Sequence, residues 1–351
     1  MHKVDRDSLR TRLLAWYDAS GRTLPWRIRP EDRAAGKTAD PYAVWLSEIM
    51  LQQTTVAHGT PYWFKFLDEF PTVIDLANAD RDRVLTLWAG LGYYARARNL
   101  HKCAQIIRDD HNGVFPQTEA GLLKLPGIGA YTAATMAAIC FNEATNIVDG
   151  NVERVISRMF RVETPLPKGK TDIRKCAGSL VGPERPGDYG QALMDLGSNV
   201  CTPRSPDCGA CPWSEFCAAH KAGLEAGYPK KVKKSAMPIR YGAVFVLRCG
   251  DEVLLRRRPE KGLLGGMMGF PGSDWGTAPD DPMSFAPMMR NWEKCDGVVR
   301  HIFTHFDLRL EVYCAEIASK GKLAGTWADV TQIDDYALPT LMRKVFFAAE
   351  L

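Results

Sequence analysis

The stretch over residues 125–154 constrains this chain more than any other. It reads Leu125-Pro126-Gly127-Ile128-Gly129-Ala130-Tyr131-Thr132, continues through small residues to Cys140, and ends in Val148-Asp149-Gly150-Asn151-Val152-Glu153-Arg154. Gly127 and Gly129 permit a sharp turn and a close approach of backbone to a partner. A helix opening near Ala130 offers unpaired N–H groups and the positive end of its dipole, so the expected partner is an anionic backbone. Ala133, Ala134, Ala137 and Ala138 make that helix narrow enough to pack tightly, and it delivers the chain to Asp149. Asn151 is expected to cap a helix over 152–158.

A chain of 351 residues that is 46% hydrophobic can bury a core and is long enough for two domains. No apolar run reaches the length of a membrane span, and Met1-His2-Lys3-Val4-Asp5-Arg6 lacks the apolar core of a secretory signal. The expectation is a cytoplasmic protein, at the nucleoid in a bacterium, with no membrane partner. The net charge of +4 permits nucleic-acid binding without requiring it. Of ten cysteines, Cys201, Cys208, Cys211 and Cys217 crowd into one loop-rich segment with the spacing C-x6-C-x2-C-x5-C. In such a chain clustered thiols point to a metal centre and away from disulfides. Their chemistry alone leaves a four-thiolate zinc site and a [4Fe-4S] cluster both open.

Helical spacing places Leu9, Leu13, Leu14, Trp16 and Tyr17 on one amphipathic helix over 8–17. Residues 28–39 are polar and interrupted by Gly and Pro, which predicts a surface loop. Asp40-Pro41 then opens a helix over 41–53, an N-cap followed by proline at the first helical position. Within it Glu48 shares a face with Val44, Trp45 and Leu51, so a carboxylate is set in an apolar stripe. Further helices are predicted over 62–70, 73–77, 81–88, 94–110, 118–124, 172–180 and 188–200, with Gly90-Leu91-Gly92 as a turn. The basic, proline-bracketed run from Pro229 to Pro238 reads as a linker. Beyond it the hydrophobic period becomes alternating: a hairpin over 241–248 and 252–258, one or two strands within 297–317, and a closing helix over 339–349. The expected organisation is a helical domain over 1–228 that includes the cysteine loop 201–217, a linker over 229–240, and an α+β domain over 241–351.

The Leu125–Gly129 turn, the Val148-Asp149-Gly150-Asn151 run and the cysteine spacing resemble the helix-hairpin-helix DNA glycosylases, and within them the adenine DNA glycosylases of the MutY type. The resemblance covers nearly the whole chain, with the segment 31–39 longer than usual. It implies a multi-domain protein: an all-α helix-hairpin-helix glycosylase domain with an iron-sulfur cluster loop, plus an α+β Nudix-like C-terminal domain. It also implies a [4Fe-4S] cluster on Cys201, Cys208, Cys211 and Cys217, and a monomer acting on double-stranded DNA that holds adenine opposite 8-oxoguanine or guanine. Gly262-Leu263-Leu264-Gly265-Gly266-Met267-Met268-Gly269-Phe270-Pro271 fits the Nudix-like part. Residues 272–297 lack the Arg- and Glu-dense helix that holds Mg²⁺ in Nudix hydrolases, so a recognition module without pyrophosphatase activity is expected.

Breaking the bond between a purine and its sugar takes a proton for the departing base and a negative group for the cationic sugar. Burial should raise the pKa of Glu48 and leave it protonated as a general acid. Asp149, beside helical N–H groups, should stay charged and stabilise the oxocarbenium ion. The resemblance implies that Glu48 protonates adenine on its five-membered ring and later activates water, while Asp149 stabilises or transiently bonds the sugar. Tyr131 and Asn151 assist. It further implies that Gly127 and Gly129 grip the DNA backbone and that Gln53 and Tyr93 fill the space of a flipped base. Thr304 and His305, in Phe303-Thr304-His305 where the family has Phe-Ser-His, would read 8-oxoguanine. Tyr131 stands where the similar endonuclease III family carries a Schiff-base lysine, which implies a monofunctional enzyme. Two other readings are a pyrimidine glycosylase with lyase activity, opposed by Tyr131, and an inactive DNA-binding protein, opposed by the joint presence of Glu48 and Asp149.

Overall fold

The computed structural model describes residues 6–232 and 236–350. Its helices are α1 (Arg6–Ser20), α2 (Pro30–Ala34), α3 (Pro41–Met50), α4 (Val56–Glu69), α5 (Val73–Asn78), α6 (Arg81–Leu87), α7 (Ala95–His111), α8 (Glu119–Leu122), α9 (Ala130–Phe141), α10 (Gly150–Met159), α11 (Lys170–Gly178), α12 (Pro186–Asp195), α13 (Ala218–Lys221) and α14 (Thr340–Ala348). Local chemistry sets many of their starts. The Asp40 side chain accepts from Tyr42 N with Pro41 next to it, Asp80 accepts from Asp82 N and Arg83 N, and Thr72 and Asp75 form a reciprocal capping box.

Three local expectations need correction. The polar segment 28–39 is not all loop, because Pro30 starts the single-turn helix α2. α4 starts six residues before the expected Tyr62, since Thr55 caps it by accepting from His58 N, and Pro61 is carried inside the helix. The helix expected over 188–200 runs as α12 to Asp195 and then widens into a π-type turn over Leu196–Val200.

Proximity of backbone gathers the chain into two compact units, Met1–Gln53 with Ile106–Lys234, and Thr54–Gln105 with Ser235–Leu351. The change of hydrophobic period at the linker marks where strands begin; it carries no information on which helices keep company with them.

The first unit is helical. Leu9, Leu13, Leu14 and Tyr17 of α1 pack with Val152, Val155, Ile156 and Met159 of α10 and with Tyr189, Ala192 and Leu193 of α12. Trp213, from the cysteine loop, is buried in the same core and donates its indole N–H to Leu9 O at 2.9 Å. Ala133, Ala134, Ala137 and Ala138 leave α9 so slim that α3 and α12 both pack against it. At the end of α12, Asp195 is fully buried and accepts from Arg22 N (2.8 Å), Arg22 Nε (2.6 Å), Arg27 Nη1 (2.8 Å) and Arg27 Nη2 (3.0 Å). Burial alone would raise its pKa; the hydrogen bonds and charges of Arg27 and Arg22 outweigh it and hold the carboxyl below its ordinary range.

In the second unit a mixed seven-stranded sheet comprises β1 (Ile239–Cys249), β2 (Glu252–Arg257), β3 (Met268–Gly269), β4 (Glu293–Lys294), β5 (Val299–Ile302), β6 (Asp307–Glu316) and β7 (Thr326–Asp329). β1 and β6 pair in parallel from Ile239↔Asp307 to Arg248↔Glu316, and β2 extends the sheet beyond β1. α14 lays Leu341, Met342, Val345 and Phe346 on its buried face. The same unit holds α4 to α6 and the start of α7, whose core includes Phe66 against Trp88 at 5.8 Å between ring centroids. These helices reach the β2–β3 connection by Arg257 Nη1 to Asp82 (2.8 Å) and Arg98 Nη1 to Gly265 O (2.5 Å). Among the described residues no helix is long and apolar enough to cross a membrane.

Removing the Asp195 carboxylate leaves two arginines without their buried counter-charge. Asp195→Ala should therefore cost about 3–5 kcal/mol of stability. Denaturant unfolding of the two proteins measures it, and a loss below about 1 kcal/mol, the worth of a surface pair, would contradict this account.

Candidate active site

Glu48 sits on α3 between buried Trp45 and Ile49 and is 9% exposed. Burial pushes its pKa up to about 7, against the pull of a hydrogen bond from the Tyr131 hydroxyl and of the Arg27 charge; the Asp149 carboxylate adds a push upward. Tyr131, on the first turn of α9, also places its hydroxyl 3.2 Å from Met194 Sδ, and its own pKa is raised by burial and by the two carboxyls it faces. Glu48, Tyr131 and Asp149 are thus brought from α3, α9 and the start of α10 into one electrostatic neighbourhood. Such a carboxyl can hold or release a proton near neutral pH.

Asp149 itself is the N-cap of α10: its backbone is extended (φ −98°, ψ −174°) and its Oδ1 accepts from Val152 N at 2.7 Å. This corrects the expectation that Asn151 caps the helix. Gly150 already begins it, so Asn151 lies in the first turn and its Nδ2 donates to Asp149 Oδ2 at 3.0 Å. Nor does the helix start simply hold Asp149 low. Burial raises its pKa, and the bonds from Val152 and Asn151 with the Arg154 charge only partly offset that rise.

Around the turn before α9, Gly127 has a φ of +80°, and Gly127, Gly129 and Ala130 are all exposed. Gly129 caps α9 without any side-chain bond, so the first N–H groups of that helix meet no side-chain acceptor there. α3 ends at Met50, earlier than the expected 53, and Gln53 lies exposed in the turn beyond it at φ +57°. In the second unit Tyr93 is also left-handed, at φ +49°, and 47% exposed. Bulky side chains seldom adopt this region, and such strain concentrates at functional loops. Thr304 and His305 are exposed and occupy the turn between β5 and β6, closed by Phe303 N to Phe306 O at 2.9 Å. The Thr304 hydroxyl lies 2.9 Å from the Tyr93 hydroxyl.

Cys201, Cys208, Cys211 and Cys217 are all free, unbridged and partly buried. Each of Cys208, Cys211 and Cys217 feels the charge of other members of the set, so the thiols converge. Burial drives the Cys208 thiol up to about 11 and Cys211 to about 12, so their ionised forms need a cationic partner. Buried Arg158 brings Nη1 to 3.2 Å from Cys201 Sγ and 2.8 Å from Thr202 O. Four convergent soft donors with a guanidinium beside one sulfur fit an anionic thiolate-bound metal cluster.

Sequence reading missed several polar residues of this region. Arg27 and Asp195 form the buried pair whose charge reaches Glu48. Arg154 donates to Asn151 Oδ1 (2.9 Å), Gly197 O (2.6 Å) and Cys201 O (2.7 Å), so α10 is tied to both the π-type turn and the cysteine loop. Gln191, one turn before Met194 on α12, is 1% exposed with Nε2 lacking a hydrogen-bond partner among the described residues. The available signal was polar residues at helical spacing on an otherwise apolar face: Asp188, Gln191 and Asp195 recur at three and four residues.

A carboxyl whose folded pKa exceeds its unfolded one contributes its full stability while protonated and loses it as the pH rises. For Glu48 that window runs from 4.5 to about 7. Glu48→Gln removes the penalty of the buried charge, so the variant should match the wild type near pH 4 and exceed it by about 3 kcal/mol at pH 8. Denaturation curves at the two pH values test this; a stability difference independent of pH would refute it.

Residues 46–178 match the family described as HhH-GPD superfamily base excision DNA repair protein. Residues 201–217 match the iron-sulfur binding domain of endonuclease III, and residues 243–348 match the NUDIX domain. The adenine DNA glycosylase of Homo sapiens is 33% identical to this chain over 97% of the chain and 73% of its own length. That of Buchnera aphidicola subsp. Schizaphis graminum is 30% identical over 95% of the chain and 96% of its own length. The structure of a thermostable thymine-DNA glycosylase covers 62% of this chain and 97% of its own, with 28% identity and a TM-score of 0.55. A helix-hairpin-helix repair domain, an iron-sulfur loop and a Nudix-like domain in this order, with these relatives matching over nearly all of the chain, mean that the chain belongs to the MutY-type adenine DNA glycosylases, DNA-binding enzymes of base excision repair that hydrolyse the N-glycosidic bond.

Proposed function

We propose that the chain removes adenine mispaired with 8-oxoguanine or guanine, as a monomer and without cutting the strand. The observation that carries the chemistry is the Glu48 carboxyl, buried, poised at about pH 7 and sharing its surroundings with Asp149 and Tyr131. With adenine extruded to this carboxyl, protonated Glu48 donates to the five-membered ring, and the bond between N9 and the sugar carbon breaks with its electron pair passing to the base. The Asp149 carboxylate, oriented by Asn151 and Val152 N, stabilises the oxocarbenium ion or bonds it transiently. The Glu48 carboxylate left behind takes a proton from water as the oxygen adds to the sugar carbon. Tyr131 holds Glu48 by its hydroxyl and, lacking an amine, forms no Schiff base, which supports a monofunctional reaction.

Duplex DNA is gripped at Gly127 and Gly129, where exposed glycines and an uncapped helix start suit a phosphate. Gln53 and Tyr93 fill the gap in the stack, and the exposed Thr304 and His305 read the 8-oxoguanine. The four cysteines hold a [4Fe-4S] cluster, which when bound supplies a rigid cross-link for the loop 201–217. We assign the working domains to 1–228 and 241–351 joined by the basic linker 229–240, and the working compartment to the one that holds the chromosome.

On a duplex with adenine opposite 8-oxoguanine, breaks should form in the adenine strand only after hot alkali, and Glu48→Gln should slow excision by about 10²–10⁴-fold while DNA is still bound. The single-turnover rate should fall above pH 7 as Glu48 loses its proton. Alkali-independent breaks, or an active Glu48→Gln enzyme, would overturn the mechanism.

Replacing Thr304 and His305 together by Ala should narrow the rate preference for 8-oxoguanine over guanine opposite adenine while excision persists. Parallel excision assays on the two duplexes measure the ratio, and an unchanged ratio would remove these residues from recognition.

A further inference from the structure

The turn that carries Tyr93 is held from inside by one cation. Gly90 allows it to form: its φ is +106°, and a Cβ there would lie 2.2 Å from the Tyr62 hydroxyl, which itself donates to Ala89 O at 2.9 Å. Trp88 donates its indole N–H to Gly92 O at 3.0 Å. Arg96, the second residue of α7, sends Nη2 to Leu91 O (3.0 Å) and Gly92 O (3.2 Å). Its guanidinium also lies over the Trp88 ring at 5.1 Å and over the Tyr93 ring at 5.6 Å. Two carbonyls and two aromatic faces therefore converge on a single planar group. They bind it at the base of Tyr93, an exposed tyrosine with a left-handed backbone whose hydroxyl meets Thr304.

We propose that Arg96 is the positioning residue that sets Tyr93 for insertion into the duplex, an inference that rests on the reading of Tyr93 as the filler of the flipped-base gap. A left-handed backbone at tyrosine is disfavoured and persists only where its surroundings over-determine it. Arg96 supplies that determination: it donates to the carbonyls of the successive Leu91–Gly92 and Gly92–Tyr93 peptides and braces the ring by cation–π contact. Both bonds leave one nitrogen, Nη2, so a lysine ammonium can donate to the same carbonyls; what it lacks is the planar, delocalised guanidinium that covers the Trp88 and Tyr93 rings. Burial draws the Arg96 pKa down to about 10, which still leaves the charge in place at neutral pH.

The test uses the full-length, cluster-loaded protein in a Glu48→Gln background and a duplex with 2-aminopurine opposite 8-oxoguanine, whose fluorescence rises when the base leaves the stack. Tyr93→Ala, Arg96→Ala, Arg96→Lys and Tyr93→Ala/Arg96→Ala are compared at saturating protein, with thermal unfolding and cluster absorbance as controls. Arg96→Ala and Arg96→Lys should each lower the extrusion rate by about tenfold, the worth of one or two hydrogen bonds for Ala and of the guanidinium's ring contacts for Lys. The double variant should be no slower than Tyr93→Ala alone, because Arg96 acts through Tyr93. If Tyr93→Ala extrudes normally, the gap-filling reading of Tyr93 fails. If Tyr93→Ala is slow but Arg96→Lys is not, or if the two losses add, Arg96 does not position the tyrosine and the proposal is overturned.

Discussion

A carboxyl group kept from water is costly when charged, and the first unit is arranged around that cost at Glu48. A direct ion pair with Arg27, whose charge already reaches Glu48, would pull that carboxyl down. Asp195 prevents this by taking both terminal nitrogens of Arg27 and adding Arg22, so only the through-space part of the charge reaches Glu48. Burial then dominates, and the carboxyl rests at about 7. A carboxyl that keeps its proton to near neutral pH is thus obtained while the neighbouring cation is held by another, fully buried carboxylate.

The second carboxyl, Asp149, is fixed by a different device. It is at once a helix cap and a member of a hydrogen-bonded series running through Asn151 and Arg154 to the carbonyl of Cys201. Arg158, one turn further along α10, touches the sulfur of the same cysteine. The iron-sulfur loop and the start of α10 therefore share one backbone support, and the position of the carboxylate depends on how well that loop is held. This gives the loop a physical bearing on the Asp149 carboxylate.

In the second unit the design is a short turn on a rigid base. Trp88, packed against Phe66, and Arg96 fix the backbone of 90–93, while the β5–β6 turn brings Thr304 to the tyrosine hydroxyl. Trp275 stacks on Phe303 at 5.8 Å and Arg258 covers Trp275 at 4.5 Å, so the turn bearing Thr304 and His305 rests on an aromatic support. The helices 54–105 and the sheet domain form one compact unit although residues 106–234 separate them in sequence.

The family, the all-helical and sheet-bearing regions and the cysteine loop were legible in the sequence, because these are carried by local spacing: the Pro-Gly-Ile-Gly turn, the cysteine intervals, the change from helical to alternating period. The sequence also placed Glu48 on an apolar stripe, since periodicity along one helix reports burial. Other properties were set by contacts between distant segments. Which residue caps α10 depended on where the backbone of Asp149 became extended. Likewise Asp149 was driven upward by burial that no local pattern reveals, and the capture of Arg27 by Asp195 joins residues far apart in the chain. Tyr93 and Gln53 were legible as residues but not as left-handed ones, and Arg96 was not legible at all. A side chain's electrostatic surroundings and its partners are properties of the packed interior, and only the tertiary structure decided them.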